Sequence, residues 1–405
     1  MGTEKEQSEA HNAAYTQDSA TLLLNQNVTQ WLNGTVQIPK IPGEPDDDNQ
    51  TGRPDTYSVS SKYYRCLFAP NYTVFSNTSS QNQWIIANDS NYQPGKPSHY
   101  VVSLESPHNA VHLAVGGFYQ QGVYNASPIP GANGDMGDNE TAGFDPIFYL
   151  HHCFIDYTFS IWQRIHGLTQ RGSLHIQETY IDKDGCQRRY PGTILEAGQP
   201  YFAQGTELNM ETTLLPFKKA DGDFYTSEDA TDISELGFAY DVRGSLEGTV
   251  PPLGRATKTI FETIRNHVSN PRKVLGHDST IPSPFSVIKR VHNINRAQYP
   301  SSFVIRLYAR GYDGKEVEVG REAILSRSNL EGCANCQNHL NVEMHVPIDP
   351  VTLERLAGPT KADVEWVVKV HTRDGQIHEP KALAAAALAA GQMSVTTRVP
   401  IVEDL

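Results

Sequence analysis

Two histidines four residues apart, His108 and His112, and an adjacent pair, His151-His152, are the residues of this chain best able to do chemistry. On a helix, side chains at i and i+4 project from one face, so the imidazoles of His108 and His112 can share one metal ion. A lone HxxxH pair says little, because surface and core histidines often fall at that spacing by coincidence. Here a second segment supplies His151-His152 with aromatic residues every three or four positions around it, and the joint pattern is far more specific. Two further groups stand beside the first pair: Glu105, one helical turn before His108, and Asn109, directly after it. A carboxylate next to a dication stays ionised and can accept a proton, which makes Glu105 a candidate for catalysis. The plainer reading of Glu105 is a helix N-terminal residue interacting with the dipole, and both readings stand.

These residues need helices to position them. Residues 104–118 carry Leu104, Val111, Leu113 and Val115 around the histidine pair and close on Gly116-Gly117, which predicts a helix ending there. A glycine- and proline-rich loop from Ser127 to Gly143 follows. Asp145-Pro146 then opens a long apolar and aromatic run through Gln163, and Asp before Pro is a favourable helix start. Upstream, residues 14–33 place Leu22, Leu23, Leu24, Val28, Trp31 and Leu32 at helical spacing before Gly34. The stretch from Ile38 to Asp55, rich in Pro, Gly and Asp, reads as an exposed loop. A connecting helix is expected over Thr257 to Val268.

From Phe285 onward the text alternates and is β-branched, in runs such as Ser302 to Tyr308, Val317 to Val319, Leu340 to Val346 and Val364 to His371. Turn signals at Tyr312-Asp-Gly314 and Arg373-Asp-Gly375 separate some of these runs, which predicts an antiparallel sandwich of Greek-key type, followed by an alanine-rich helix at Ala382 to Ala390. The expected fold class is α + β. It divides into a helical metal-binding domain over residues 1–250, a connecting helix and linker over 251–280, and an antiparallel β-sandwich over 281–405.

At 405 residues the chain can bury substantial cores without disulfides or structural metals, so a metal here is expected to be functional. The formal charge of −13 lacks the footprint of a nucleic-acid or anionic-lipid partner, and a small-molecule substrate is expected instead. No apolar run reaches about 20 residues and the N-terminus lacks the pattern of a secretory signal, so the expectation is a cytoplasmic protein with no membrane insertion. On that expectation, Asn-x-Ser/Thr sequons such as Asn27, Asn71 and Asn125 are chance. Five cysteines do not suggest a disulfide framework, and Cys333-Ala-Asn-Cys336 reads as a structural turn because no second CxxC exists to complete a zinc ribbon.

The histidine segments resemble the second metal-binding segment of the tyrosinase, catechol oxidase and haemocyanin family. There a His-Asn-x-x-His helix followed by Gly-Gly is joined by a loop to Asp-Pro-x-Phe-x-x-His-His-x-x-x-Asp. Here these stand as His108-Asn109 to His112, Gly116-Gly117, and Asp145-Pro146 through His151-His152 to Asp156. The resemblance extends over nearly the whole chain, including Leu24 to Leu32, Tyr225 to Tyr240 and Phe303 to Val370. It implies a helical tyrosinase-like domain, His152 as third ligand beside His108 and His112, and His151 in a packing role. Helix spacing agrees in part, since Phe148, His152, Ile155, Asp156 and Phe159 share a face. In fungal members a glutamate holds the place of Glu105, and the resemblance implies that Glu105 and Asn109 are the catalytic pair that positions and deprotonates a metal-bound water or substrate.

The sequence also departs from that pattern. Only His11 and His99 precede His108, too few for the family's first copper segment, so one metal per chain is expected. Asp135 stands where many relatives have histidine, and Tyr157 follows Asp156 in place of the usual arginine. A lone three-histidine site with an open position is the arrangement of catalytic zinc, and intracellular availability favours Zn2+ over copper. The chain also looks like the zinc-dependent, cyclopenase-like members of the family from fungal quinolone alkaloid biosynthesis. They imply a lyase that rearranges a cyclopenin-type epoxy-benzodiazepinedione to a viridicatin-type quinolinone with loss of methyl isocyanate, and that is not an oxidase. The alternatives are a copper-dependent phenol oxidase and a non-catalytic metal-binding relative.

Overall fold

The computed structural model describes residues 59–88, 100–117, 134–195, 201–240, 287–299, 301–327, 339–348, 350–380 and 400–404. The helices expected at 14–33, 257–268 and 382–390, the linker over 251–280, His11, His99 and the Cys333/Cys336 pair lie outside these residues.

Five helices precede the sheets among the described residues: α1 (Val59–Cys66), α2 (Tyr72–Ser76), α3 (Thr78–Asn88), α4 (Glu105–Gly116) and α5 (Pro146–His166). The longest, α5, starts where Asp145-Pro146 says it should. The Asp145 carboxylate accepts the Ile147 N–H at 3.1 Å, and Pro146 occupies a first-turn position that needs no donor. It stops at Gly167, which takes the left-handed conformation (φ 71°) so that its N–H returns to the Gln163 and Arg164 carbonyls. On its inner side Trp162, fully buried, stacks on Phe75 with ring centroids 4.7 Å apart and donates its indole N–H to the Ala69 carbonyl at 3.0 Å. Burying that ring with its one donor satisfied contributes about 2–3 kcal/mol and fixes the roll of α5 about its axis. That roll decides where His151 and His152 point.

Helices α3 and α4 are joined at their starts. Thr78, the first residue of α3, donates its backbone N–H at 2.8 Å and its hydroxyl at 2.9 Å to Glu105 Oε2, the first residue of α4. One carboxylate thus caps a neighbouring helix while its charge favours the N-terminal end of its own.

After α5 come two short hairpins, β1 (Thr179–Ile181) with β2 (Gln187–Arg189) and β3 (Thr213–Lys218) with β4 (Phe224–Thr226). The strands expected beyond Phe285 follow: β5 (Val287–Asn295), β6 (Phe303–Arg310), β7 (Glu316–Ile324), β8 (Asn341–Ile348), β9 (Glu365–Thr372), β10 (Ile377–His378) and β11 (Ile401–Asp404), with a helix α6 (Pro350–Ala357) between β8 and β9. They form two antiparallel sheets in the orders β10-β9-β6-β7 and β11-β5-β8. Phe303, Ile305 and Leu307 of one sheet and Val291, Met344 and Val346 of the other share a single apolar core. Gly314 and Gly375, both at positive φ, turn the chain between β6 and β7 and between β9 and β10, at the two predicted turn signals.

The back of α4 rests on this β structure. Ala110, Leu113 and Ala114 pack with Val304 and Ala323. Beside them Lys62 of α1 is buried, with its ammonium 2.7 Å from Glu322 Oε2 of β7 and 2.9 Å from Ser106 Oγ of α4, while the Ser106 hydroxyl donates to Glu322 Oε1 at 2.6 Å. Removing one partner of a buried pair strands the other charge at a cost of about 3–5 kcal/mol, whereas replacing both by apolar groups is near neutral. Lys62→Met is therefore expected to lower stability by about that amount and Lys62→Met with Glu322→Leu to recover most of it. Urea denaturation of the two variants checks this, and equal losses in both would contradict it.

Candidate metal centre

Helix α4 delivers His108 and His112 from consecutive turns, and α5 delivers the doublet across from them. The Nε2 atoms of His108 and His112 lie 3.1 Å apart, and that of His152 lies 3.4 Å from the first and 3.3 Å from the second. First-row divalent ions hold imidazole nitrogens at about 2.0–2.1 Å, which in a tetrahedral array places donors about 3.3–3.4 Å apart. The triangle of nitrogens has that size.

The outer nitrogens of two rings are tied, which sets what the inner nitrogens can do. His112 Nδ1 donates to the Met136 carbonyl at 2.8 Å. His108 Nδ1 is 2.9 Å from Asn109 Oδ1, an oxygen that can only accept. In their neutral forms both rings therefore present an Nε2 lone pair inward, and the 3.1 Å contact between them joins two acceptors, not a donor and an acceptor. Such a contact is repulsive unless a cation sits between them, so the residues present fit a metal ion.

The neutral form is the one the site favours. Burial, then the neighbouring imidazoles, push His112 down to about 4; His108 is also held at about 4, by burial and by His152, with the Asn109 hydrogen bond opposing. Burial lowers His152 as well.

His151 stands closer to the centre than its expected packing role implies. It is more deeply buried than His152, and its ring centroid lies 5.0 Å from His108 and 4.9 Å from His112. Its ring hydrogen-bonds the His108 backbone, which leaves its buried Nε2 without a partner. The ligand atoms of His108, His112 and His151 also all lie within 4.8 Å of one another, so either residue of the doublet is placed to be the third donor. We favour His152 as third donor because its Nε2 stands at the separation from the other two that a tetrahedral ion needs. The face argument from sequence separated the two doublet residues too cleanly: 100° apart on α5, both still reach a centre that the rings of α4 approach from the side.

The other predicted residues have clear places. Asn109 is buried and holds the His108 ring. Glu105 has Oε2 occupied by Thr78. Asp156, which lacks the expected arginine, receives the Tyr240 hydroxyl, and the Tyr240 ring packs edge-on against Tyr157 at 5.2 Å. Phe148 covers one side of the centre, its ring 4.1 Å from His152 and 5.9 Å from His112. Sequence reasoning missed the Met136 carbonyl and Tyr240; both are loop groups whose role depends on long-range placement, and no local pattern marks them.

Comparison with known proteins places these features in company. Residues 3–165 match the common central domain of tyrosinase. A tyrosinase of Aspergillus oryzae is 36% identical over 371 residues, which span 89% of this chain and 60% of that protein. Tyrosinase HcTyr2 of a Hahella species is 36% identical over 354 residues, 85% of this chain and 55% of that protein. The chain thus spans a little over half the length of these two relatives. Among solved structures, the tyrosinase of Burkholderia thailandensis at high pH is 34% identical, with a TM-score of 0.57 over 100% of this chain and 68% of that one.

Two expectations are overturned by these findings. Relatives at 36% identity over most of the chain are tyrosinases, which are oxidases, so the assignment as a non-oxidative zinc lyase falls. Tyrosinases bind copper, so the expectation of zinc falls with it. Three imidazoles accept either ion, and copper(II) stands above zinc in the affinity order, so ligand type gives zinc no preference here.

The pH dependence of the metal-free protein follows from the depressed histidines. An unfolded histidine titrates near 6.5, whereas folded His112 titrates at about 4, so between these values the unfolded state binds more protons and stability rises with pH. The stabilising contribution is complete above about pH 6.5 and is lost as pH falls toward 4. The urea midpoint of metal-free protein is expected to drop between pH 7 and pH 5, and to drop less in His112→Phe. An identical pH profile in wild type and variant would contradict the assignment.

Proposed function

The chain belongs to the tyrosinase family, and from that premise we propose that it is a copper-dependent oxidase of phenols or catechols whose copper is held by His108, His112 and His152. The observation that carries this reading is the convergence of three Nε2 atoms at 3.1–3.4 Å on two helices. Among the described residues the three groups whose ligand atoms cluster as a metal site are His108, His112 and His151; we take His152 as the third ligand in place of His151 because its Nε2 lies 3.4 Å and 3.3 Å from those of His108 and His112. The proposal concerns this one trio, which would hold one copper.

Copper, when bound, supplies reversible one-electron chemistry with dioxygen and an aromatic substrate. The chain's own residues prepare the place. Burial keeps the imidazoles neutral and their inner lone pairs free to ligate. The Met136 carbonyl and Asn109 fix two ring orientations, the usual work of groups behind metal ligands. Phe148 offers an aromatic wall against which a flat ring can stack. Glu105 enters as the group that locks α4 to α3 through Oε2, which leaves Oε1 as the oxygen able to accept a proton.

Copper-reconstituted protein is expected to take up dioxygen with a simple catechol, to lose that uptake in His112→Ala, and to carry about one copper per chain. Copper bound at that ratio with no dioxygen uptake on phenol or catechol would sink the oxidase reading and leave a metal-binding relative.

Glu105→Gln separates the two roles of that carboxylate. Glutamine still accepts the Thr78 hydrogen bonds, so turnover within a few-fold of wild type is expected, with Glu105→Ala losing about 1 kcal/mol of stability through the missing cap. A fall of about 100- to 10,000-fold in the glutamine variant would instead assign Glu105 as a general base.

A further inference from the structure

Arg373 sits at the turn between β9 and β10, in the β structure, yet its side chain is buried beneath the histidine helix. It is 1% exposed. Its Nε donates to the Gly117 carbonyl at 3.1 Å, and its Nη2 donates to the Gly116 carbonyl at 3.2 Å and the Gly134 carbonyl at 2.8 Å. Two of these carbonyls close α4, whose last turn lacks intrahelical donors; the third opens the 134–138 loop. The fork of the guanidinium suits several carbonyls in one plane, and a cation at a helix C-terminus is favoured by the dipole. The acidic Asp138 and Asp135 side chains offset its charge, and Asp138 is itself fully buried.

The packing around this fork admits no side chain. A Cβ on Gly137 would stand 2.4 Å from Arg373 Cζ, and a Cβ on Gly116 would stand 2.0 Å from the Gly137 nitrogen. Helix end, loop and guanidinium therefore form three layers in direct contact. Met136, the residue before Gly137 in the middle layer, supplies the carbonyl that holds His112 Nδ1.

From this geometry we propose that Arg373 is a positioning residue for the metal centre. By binding the carbonyls of Gly116, Gly117 and Gly134 it fixes the 134–138 loop against α4, and so aims the Met136 carbonyl at His112 and the His112 Nε2 at the metal. The β structure is then part of how the centre is built. The inference rests on the metal-site reading for its purpose, but its primary test is made on metal-free protein and does not depend on which metal or substrate is right.

The test records long-range 1H–15N correlations of the histidine rings in full-length, metal-free wild type, Arg373→Ala and Arg373→Lys, with Arg310→Ala, an exposed ion-pair residue, as control. In wild type and control, His112 is expected as the pure Nδ1–H tautomer. In Arg373→Ala it is expected to become a mixture of tautomers while His108, held by Asn109, keeps its own, and copper(II) affinity is expected to weaken about 10- to 100-fold. Arg373→Lys keeps the buried cation but loses the fork, so an intermediate change is expected; it also decides the matter if the alanine variant fails to fold. An unaltered His112 tautomer in a folded variant would overturn the proposal. So would equal loss at His108 and His112, which would mean general loosening with no selective hold on His112. Tautomer loss without any change in copper affinity would sever Arg373 from the metal centre and overturn it as well.

Discussion

Neutral imidazoles forced lone pair to lone pair are the constraint from which the rest of this structure can be understood. Left to themselves, the inner nitrogens of His108 and His112 would rotate apart or find donors. They stay 3.1 Å apart because their outer nitrogens are fastened, one to Asn109 and one to the Met136 carbonyl, and because burial makes protonation, the simplest escape, unfavourable. Each fastening then needs its own support. Asn109 rides on α4 and needs only the helix. The Met136 carbonyl is on a loop, and that loop leans on glycine contacts and on a guanidinium from far along the chain.

The two helices that carry the histidines are held by different means. Helix α5 is placed chiefly by aromatic packing, Trp162 against Phe75, with the indole N–H bound to the Ala69 carbonyl. Helix α4 adds to its apolar back a set of polar ties: Glu105 at its first residue, Ser106 in the Lys62–Glu322 cluster, and Arg373 at its end. Apolar packing tolerates small shifts, whereas a buried polar network does not, because each displaced group loses a partner it cannot replace from water. The more exacting control thus falls on the helix that contributes two ligands.

Much of this was legible in the sequence because it is local. The HxxxH spacing, the Asp145-Pro146 start, the Gly116-Gly117 stop and the alternating strands with their Asp-Gly turns each depend on a few neighbouring residues, and each appears where its pattern says. What escaped is what joins distant segments. Glu105 carries two signals at once, and only the fold shows that Thr78 uses its carboxylate. His151 and His152 differ by one position in the chain, and their shares in the centre depend on a helix roll set by Trp162. The metal could not be read from ligand type, since imidazole suits zinc and copper alike.

The separation along the chain of the groups that meet at Arg373 has a temporal side. Its hydrogen bonds reach back 256, 257 and 239 residues, and Lys62 meets Glu322 across 260. Contacts of such span close late, because the loops they seal must lose their freedom before any gain arrives. During synthesis, at about 5–20 residues per second, both histidine helices leave the ribosome well before Arg373 does. For that interval the nascent chain carries ligands without the support that aims them, and it can capture ions in unselected geometries or expose apolar surface to its neighbours. The contacts that hold the 134–138 loop against α4 are therefore among the last of the described fold to close.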